Sequence, residues 1–210
     1  MPAVMQNFGL IRADTGTAVL REIPIPKPRP GYILVRTVAV ALNPTDWTSL
    51  DAVGDPGTIV GCDYAGIVEQ VGSGGSNRFK IGDKIAGFAH GCMSHLSHRV
   101  VQIRSVWLTL AANDANAENG AFALYIAVKE DLQMHIPDNV SFEAAATTGV
   151  GIGSAGYGLY KVLSLPFPDS TVGNHSSQIE ARDTVLIYGG STATGSIAIQ
   201  LAKLYACKFY

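Results

Sequence analysis

The order of apolar and polar positions predicts strands in the first half of the chain and helices only later. Residues Gly31 to Leu42 (GYILVRTVAVAL) form a β-rich run in which Val35, Thr37 and Ala39 alternate with Arg36, Val38 and Val40. A period of two sends neighbouring side chains to opposite faces, so the run predicts one strand or two halves of a bent one. Pro24, Pro26, Pro28 and Pro30 precede it. Proline at every second position excludes regular helix and predicts an extended loop. Asp63 to Val71 (DYAGIVEQV) and Asp83 to Phe88 (DKIAGF) read as further short strands, set off by Gly61, Gly72, Gly74, Gly75, Gly82 and Gly87. This spacing predicts a strongly bent β-structure with glycines at positive φ in its corners.

From Pro137 to Val162 the pattern changes to helix. Ser141 can cap, Glu143 lies in a first turn where the helix dipole favours an acid, and Phe142, Ala144, Ala145 and Ala146 follow. The continuation, GVGIGSAGYG, holds Gly149, Gly151, Gly153, Gly156 and Gly158. Each costs about 1 kcal/mol relative to alanine in a helix interior, so something other than helix propensity accounts for them. Small residues let a backbone approach a ligand closely, and they equally let two helices pack tightly. A loop rich in Pro, Ser, Asn and Asp covers Ser164 to Asp183. After it, Thr184 to Tyr188 (TVLIY) predicts a continuous apolar strand, followed by GGSTATG and an amphipathic helix from Ser196 with Ile197, Ile199, Leu201 and Leu204. This is the order of a βα unit in a parallel sheet, and Tyr210 falls where the second strand of that sheet is expected.

Hydrophobic residues make up 47% of the 210 positions and charged residues 15%, which excludes the composition of a disordered chain. A net charge of -2 with scattered Lys and Arg supplies no basic face, so nucleic acid is not an expected partner. Met1 to Arg12 lacks a basic start followed by an apolar run, and no stretch reaches transmembrane length. No membrane association and a cytoplasmic location are expected. Cys62, Cys92 and Cys207 have no CxxC spacing and an odd count, which argues against a disulfide scaffold.

The turn after TVLIY concentrates the candidate chemistry. Gly189, Ser191 and Gly195 make a GxSxxxG pattern, a departure from GxGxxG, and Thr192 and Thr194 add hydroxyl donors. Backbone amides and the helix dipole at such a strand-to-helix turn can receive a dinucleotide phosphate. A Gly/Ser/Thr turn can also be purely structural.

Six segments then occur in a telling order: ALNPTDW, GCDYAGIVEQVG, IGDKIAGF, ENGAFALYIAV, IPDNVSFEAAA and VLIYGGSTATG. Together they resemble the medium-chain dehydrogenase/reductase superfamily, in its zinc-independent branch, over nearly the whole chain. The GGSTAT turn and the SLPFP segment (Ser164 to Pro168) look most like the fungal trans-acting enoyl reductases of polyketide biosynthesis. The resemblance implies an α/β fold: a GroES-like β-domain in residues 1–135, followed in 136–210 by a connecting helix, a loop and the first βα unit of a truncated Rossmann domain. It also implies NADPH as cofactor, and as partner an α,β-unsaturated acyl chain on a polyketide synthase carrier domain. On the same likeness Pro44, Thr45 and Asp46 border the nicotinamide side. Gly190, Ser191, Thr192, Ala193 and Thr194 hold the cofactor, chiefly its phosphates. Ser154, Ala155, Gly156, Tyr157, Gly158, Leu159, Tyr160 and Lys161 line the substrate channel. No catalytic side chain is singled out. Asp46 has a plainer reading too, since Asp after Asn-Pro often only forms a turn.

The resemblance also bears on zinc. Alcohol dehydrogenases of the superfamily place a cysteine ligand where this sequence has Asn43 and a His-Glu pair where it has Cys62-Asp63, so no metal is expected. His90, Cys92, His95 and His98 lie close together, but their spacing matches no standard zinc pattern and reads as a solvated loop. Two other readings remain open: a non-catalytic GroES-like fragment or binding module, and a quinone oxidoreductase. Met93 to Leu110 interrupts the family likeness and lacks a period for helix or strand. Codons for Cys92-Met93-Ser94 and for Leu204-Tyr205-Ala206 can both spell a fungal splice donor, so unspliced introns are the expectation for both anomalies, with a real insertion and a real truncation as the open alternative, since codon degeneracy lets many peptides mimic a donor.

Overall fold

The computed structural model describes residues 6–52, 56–89, 101–103, 106–108, 118–165 and 184–204. The chain divides into two compact units, Met1–Thr147 and Thr148–Tyr210. The first is β-rich. Strand β1 (Asn7–Asp14) pairs antiparallel with β2 (Thr17–Ile23) as a hairpin. The proline-rich stretch that follows is without regular structure, as expected where proline cannot donate to a ladder.

β3 (Tyr32–Ala41) leads into helix α1 (Pro44–Ala52), then β4 (Asp63–Val71) and β5 (Lys84–Phe88). Two short strands, β6 (Val101–Ile103) and β7 (Val106–Leu108), pair with each other. The strand pair lies inside the 93–110 run, where the sequence showed no strand period, and the rest of that run falls outside the described residues. β8 (Tyr125–Lys129) and β9 (Gln133–His135) complete an antiparallel sheet of order β8-β3-β4-β5-β9.

Ile33, Val35, Tyr64, Val68, Ile85 and Ile126 are fully buried in this sheet. Burial of such side chains contributes roughly 1.5–3 kcal/mol each, which makes the β3-β4-β5-β8 face the main stabilising element. β3 is indeed bent: its register against β4 shifts between Leu34 and Val35 and again between Thr37 and Ala39. Its first half is buried, whereas Val38 and Val40 in the second half are exposed. Of the six glycines expected at positive φ, Gly61, Gly74 and Gly82 have it. Gly72, Gly75 and Gly87 do not; there a Cβ would collide with Arg29 and Tyr32 carbonyls, Glu130 or Gln133.

Ser141 caps α2 (Phe142–Ala146), its hydroxyl accepting from the Ala144 amide at 3.2 Å. The helical run is then broken at Thr147 and Thr148, and the second unit opens with α3 (Gly149–Gly156), which passes into a π-helical segment, Tyr157–Val162. The glycine run is therefore helical despite its propensity. At Gly151 a Cβ would press on Ile197 of α4 (Ala193–Lys203), so close helix packing accounts for that position.

Two local expectations in the second unit change. The Thr184 to Tyr188 run forms no strand among the described residues: Thr184 makes a single bridge and Leu186 and Tyr188 are exposed. A strand exists only through its neighbours, and an apolar run without a ladder partner keeps its sequence signal without the structure. α4 begins at Ala193 rather than Ser196, because Thr192 supplies the cap.

Candidate functional site

In the first unit, β3 delivers the chain to Asn43, and the turn there is built by polar ties. The Asn43 amide donates to Asp46 Oδ2 at 2.7 Å and the Asp46 amide donates to the Asn43 carbonyl at 3.0 Å. This reciprocal pair starts α1, with the acid in the first turn where the dipole favours it. The Asn43 side chain also reaches across to β4, its Nδ2 donating to Asp63 Oδ2 at 2.9 Å. Asp63 and Asp46 are both buried, at 1% and 7% exposure. Thr45 Oγ1 lies 3.6 Å from Cys62 Sγ.

Burial pushes the Asp46 carboxyl above its ordinary value, opposed by the Asn43 amide and by the Cys62 thiol and amide. Oδ1 of Asp46 nonetheless has no partner at hydrogen-bond geometry. Of the expected nicotinamide-side residues, then, Asp46 is buried, Thr45 half-buried and Pro44 exposed. Asn43, Cys62 and Asp63 join them, three residues that the sequence marks only as replacements for metal ligands. Among the described residues no group of three or more His, Cys, Asp or Glu could hold a metal ion. The His90, Cys92, His95 and His98 cluster lies outside the described residues.

In the second unit the turn before α4 is organised by one threonine. Thr192 donates its hydroxyl to the Gly189 carbonyl at 2.8 Å and accepts the Gly195 amide at 3.0 Å. Gly189 has φ of 85°, which favours glycine, and a Cβ on Gly195 would run into the Gly189 carbonyl. The first amides of a helix have no intrahelical acceptor, so with Gly195 capped, the amides of Ala193 and Thr194 remain directed at whatever lies before α4. Ser191, Thr192, Ala193 and Thr194 are exposed and Gly190 is half-buried. The arrangement fits an anionic group such as a phosphate: glycines allow close approach, and amides and a positive dipole end face it.

The expected substrate residues separate by face. Gly156, Tyr157, Tyr160 and Lys161 line an open, largely apolar cavity of about 490 Å³, together with Ile152, Gly153 and Leu201. Ser154 is exposed, Ala155 and Leu159 are buried, and Gly158 is half-buried; none of these four lines the cavity.

Comparison with known proteins bears on both clusters. The alcohol dehydrogenase GroES-like domain matches residues 29–138, more than half of the chain. The chain belongs to this family. A GroES-like domain of this kind accounts for the five-stranded sheet and for α1 with its Asn43-Pro44-Thr45-Asp46 start. The chain is also 47% identical over 191 residues to the trans-enoyl reductase resD of Aspergillus sclerotiorum, a match covering 89% of this chain and 48% of that protein. The chain spans about half the length of the curated relatives it matches. Among solved structures, an alcohol dehydrogenase superfamily protein from Novosphingobium aromaticivorans superposes with a TM-score of 0.72 at 24% identity, covering 97% of this chain and 52% of that one. A mycobacterial protein solved in complex with NADPH superposes with a TM-score of 0.64 at 21% identity, over 97% of this chain and 50% of its own. These likenesses establish the fold: an α/β chain of the medium-chain dehydrogenase/reductase type, a GroES-like domain leading into the start of a Rossmann part.

Proposed function

We propose that this chain is the N-terminal half of an NADPH-dependent trans-acting enoyl reductase, which reduces an α,β-unsaturated acyl thioester presented by a polyketide synthase carrier domain in the cytoplasm. The observation that carries the reading is the Thr192-capped turn before α4, found in a chain 47% identical to a trans-enoyl reductase. When bound, NADPH supplies the hydride for the β-carbon, and a proton then completes reduction at the α-carbon. The chain's own residues have three tasks. The amides of Ala193 and Thr194 and the hydroxyls of Ser191 and Thr194 hold phosphate oxygens, with Gly190 giving backbone access. Pro44, Thr45 and Asp46 present one face of a pre-built turn to the nicotinamide side. The apolar cavity beside Tyr157, Tyr160 and Lys161 takes part of the acyl chain. Polarisation of a thioester carbonyl by hydrogen bonds suffices for conjugate reduction, so the chemistry requires no metal.

The test uses the protein carrying its complete nucleotide-binding domain. NADPH oxidation with an enoyl-pantetheine thioester should be rapid, and NADPH affinity by fluorescence titration should fall at least roughly tenfold in Thr194→Glu, because a carboxylate then faces the phosphate. Equal affinity in that variant would remove the phosphate assignment. Turnover of quinones but not of enoyl thioesters would favour a quinone oxidoreductase instead.

A further inference from the structure

Helix α1 carries the Pro44–Asp46 surface, yet it is not held by a hydrophobic face. Among residues 44–51 Asp46 is the only buried one, and Trp47 stands exposed. What fixes a helix that buries so little apolar area must be polar. At the N-terminal end the ties are Asn43 to Asp46 and Asn43 to Asp63. At the C-terminal end the Leu50 carbonyl accepts the Arg12 Nε at 3.0 Å and the Gly16 amide at 3.1 Å, both from the β1-β2 hairpin.

Arg12 is an unusual residue to find there. It is only 6% exposed, and among the described residues no carboxylate lies at ion-pair distance from it. Burying a guanidinium is costly unless negative charge faces it. The C-terminal end of a helix carries unsatisfied carbonyls and the negative pole of the dipole, and α1 has no basic residue of its own in its last turn. The distant arginine supplies what the helix lacks.

We propose that Arg12 is a positioning residue for the Pro44–Asp46 surface, clamping α1 by its C-terminal end while Asn43 fixes the opposite end to β4. Its functional meaning rests on the reading that Pro44, Thr45 and Asp46 border the nicotinamide; the clamp itself does not. Amide hydrogen exchange on the 210-residue chain tests it. In Arg12→Met the amides of residues 47 to 52 should exchange roughly tenfold to a hundredfold faster, as expected for loss of a hydrogen bond to a charged group, while those of β4 and β8 stay as they were. Arg12→Lys, which keeps the charge and a donor, should restore most of the protection. Should Arg12→Met fail to fold, Arg12→Gln, which is shorter and uncharged and so cannot bring the cation to the Leu50 carbonyl, is read on the same amides, with acceleration expected in the same direction. Unchanged exchange in α1, acceleration spread evenly over α1 and β4, or a Lys variant as fast as the neutral one would each overturn the clamp. No readout involves NADPH, so loss of the cofactor reading and loss of the clamp are told apart.

Discussion

Asp46 and Glu130 are both buried carboxylates, and their environments drive them in opposite directions. Burial dominates at Asp46 and raises its pKa, so the folded state holds the proton more tightly than the unfolded chain does. Its stabilising contribution is complete below the ordinary carboxylate range and is lost as pH rises through the raised folded value. Asp46→Asn keeps an oxygen for the Asn43 amide without the charge. It should therefore melt at or above the wild-type temperature at neutral pH, with the gain shrinking toward acid. A lower melting temperature independent of pH would contradict this. At Glu130 the hydrogen bonds from Ser76 dominate and lower the pKa, with Arg78 assisting. That stability is present above the unfolded value and is lost as pH falls through the lowered folded one. Glu130→Gln should melt below wild type at neutral pH, and circular dichroism melts in acid should show the deficit vanish. Neither environment was legible from sequence, because each carboxylate owes its state to burial and to the groups packed around it. Glu130 takes its hydrogen bonds from a loop 54 positions away.

Elements whose determinants are local were the legible ones. Ser141 caps α2 as its sequence context predicts, and β4 spans the Asp63 to Val71 run, whose glycine boundaries mark its ends. The turn before α4 was recognisable as a glycine and threonine cluster, but its organisation by Thr192 was not, since Thr192 and Thr194 were indistinguishable as hydroxyl donors. Thr192→Val keeps the shape and removes the cap, and should cost α4 about 1 kcal/mol, the usual value of an N-cap oxygen. Hydrogen exchange of the α4 amides would measure it, and an unchanged helix would show that the cap is dispensable. Gly195→Ala should be worse, because its Cβ meets the Gly189 carbonyl, a backbone atom that cannot swing aside. The Thr184 to Tyr188 run shows the limit of local reasoning: an apolar pattern states a preference, and ladder partners decide whether a strand forms.

For the whole molecule, the interruption of the family likeness at Met93 to Leu110 leads to one further expectation. Sequencing of cDNA across that run should show it removed from mature transcripts; transcripts that retain it would discard the intron account. The sequence by itself determined the family and the order of its β-rich and βα parts, because short-range periodicity, proline and glycine punctuation and capping residues act within a few positions. It also marked Pro44 to Asp46 and Gly190 to Thr194 as candidate cofactor residues. Only the tertiary structure decided that β3 is buried in one half and bare in the other, that β8 pairs with β3 across about ninety residues of chain, and that Arg12 meets the end of α1. Those outcomes depend on which distant surfaces meet, and the competition among long-range contacts leaves no mark in any single stretch of residues.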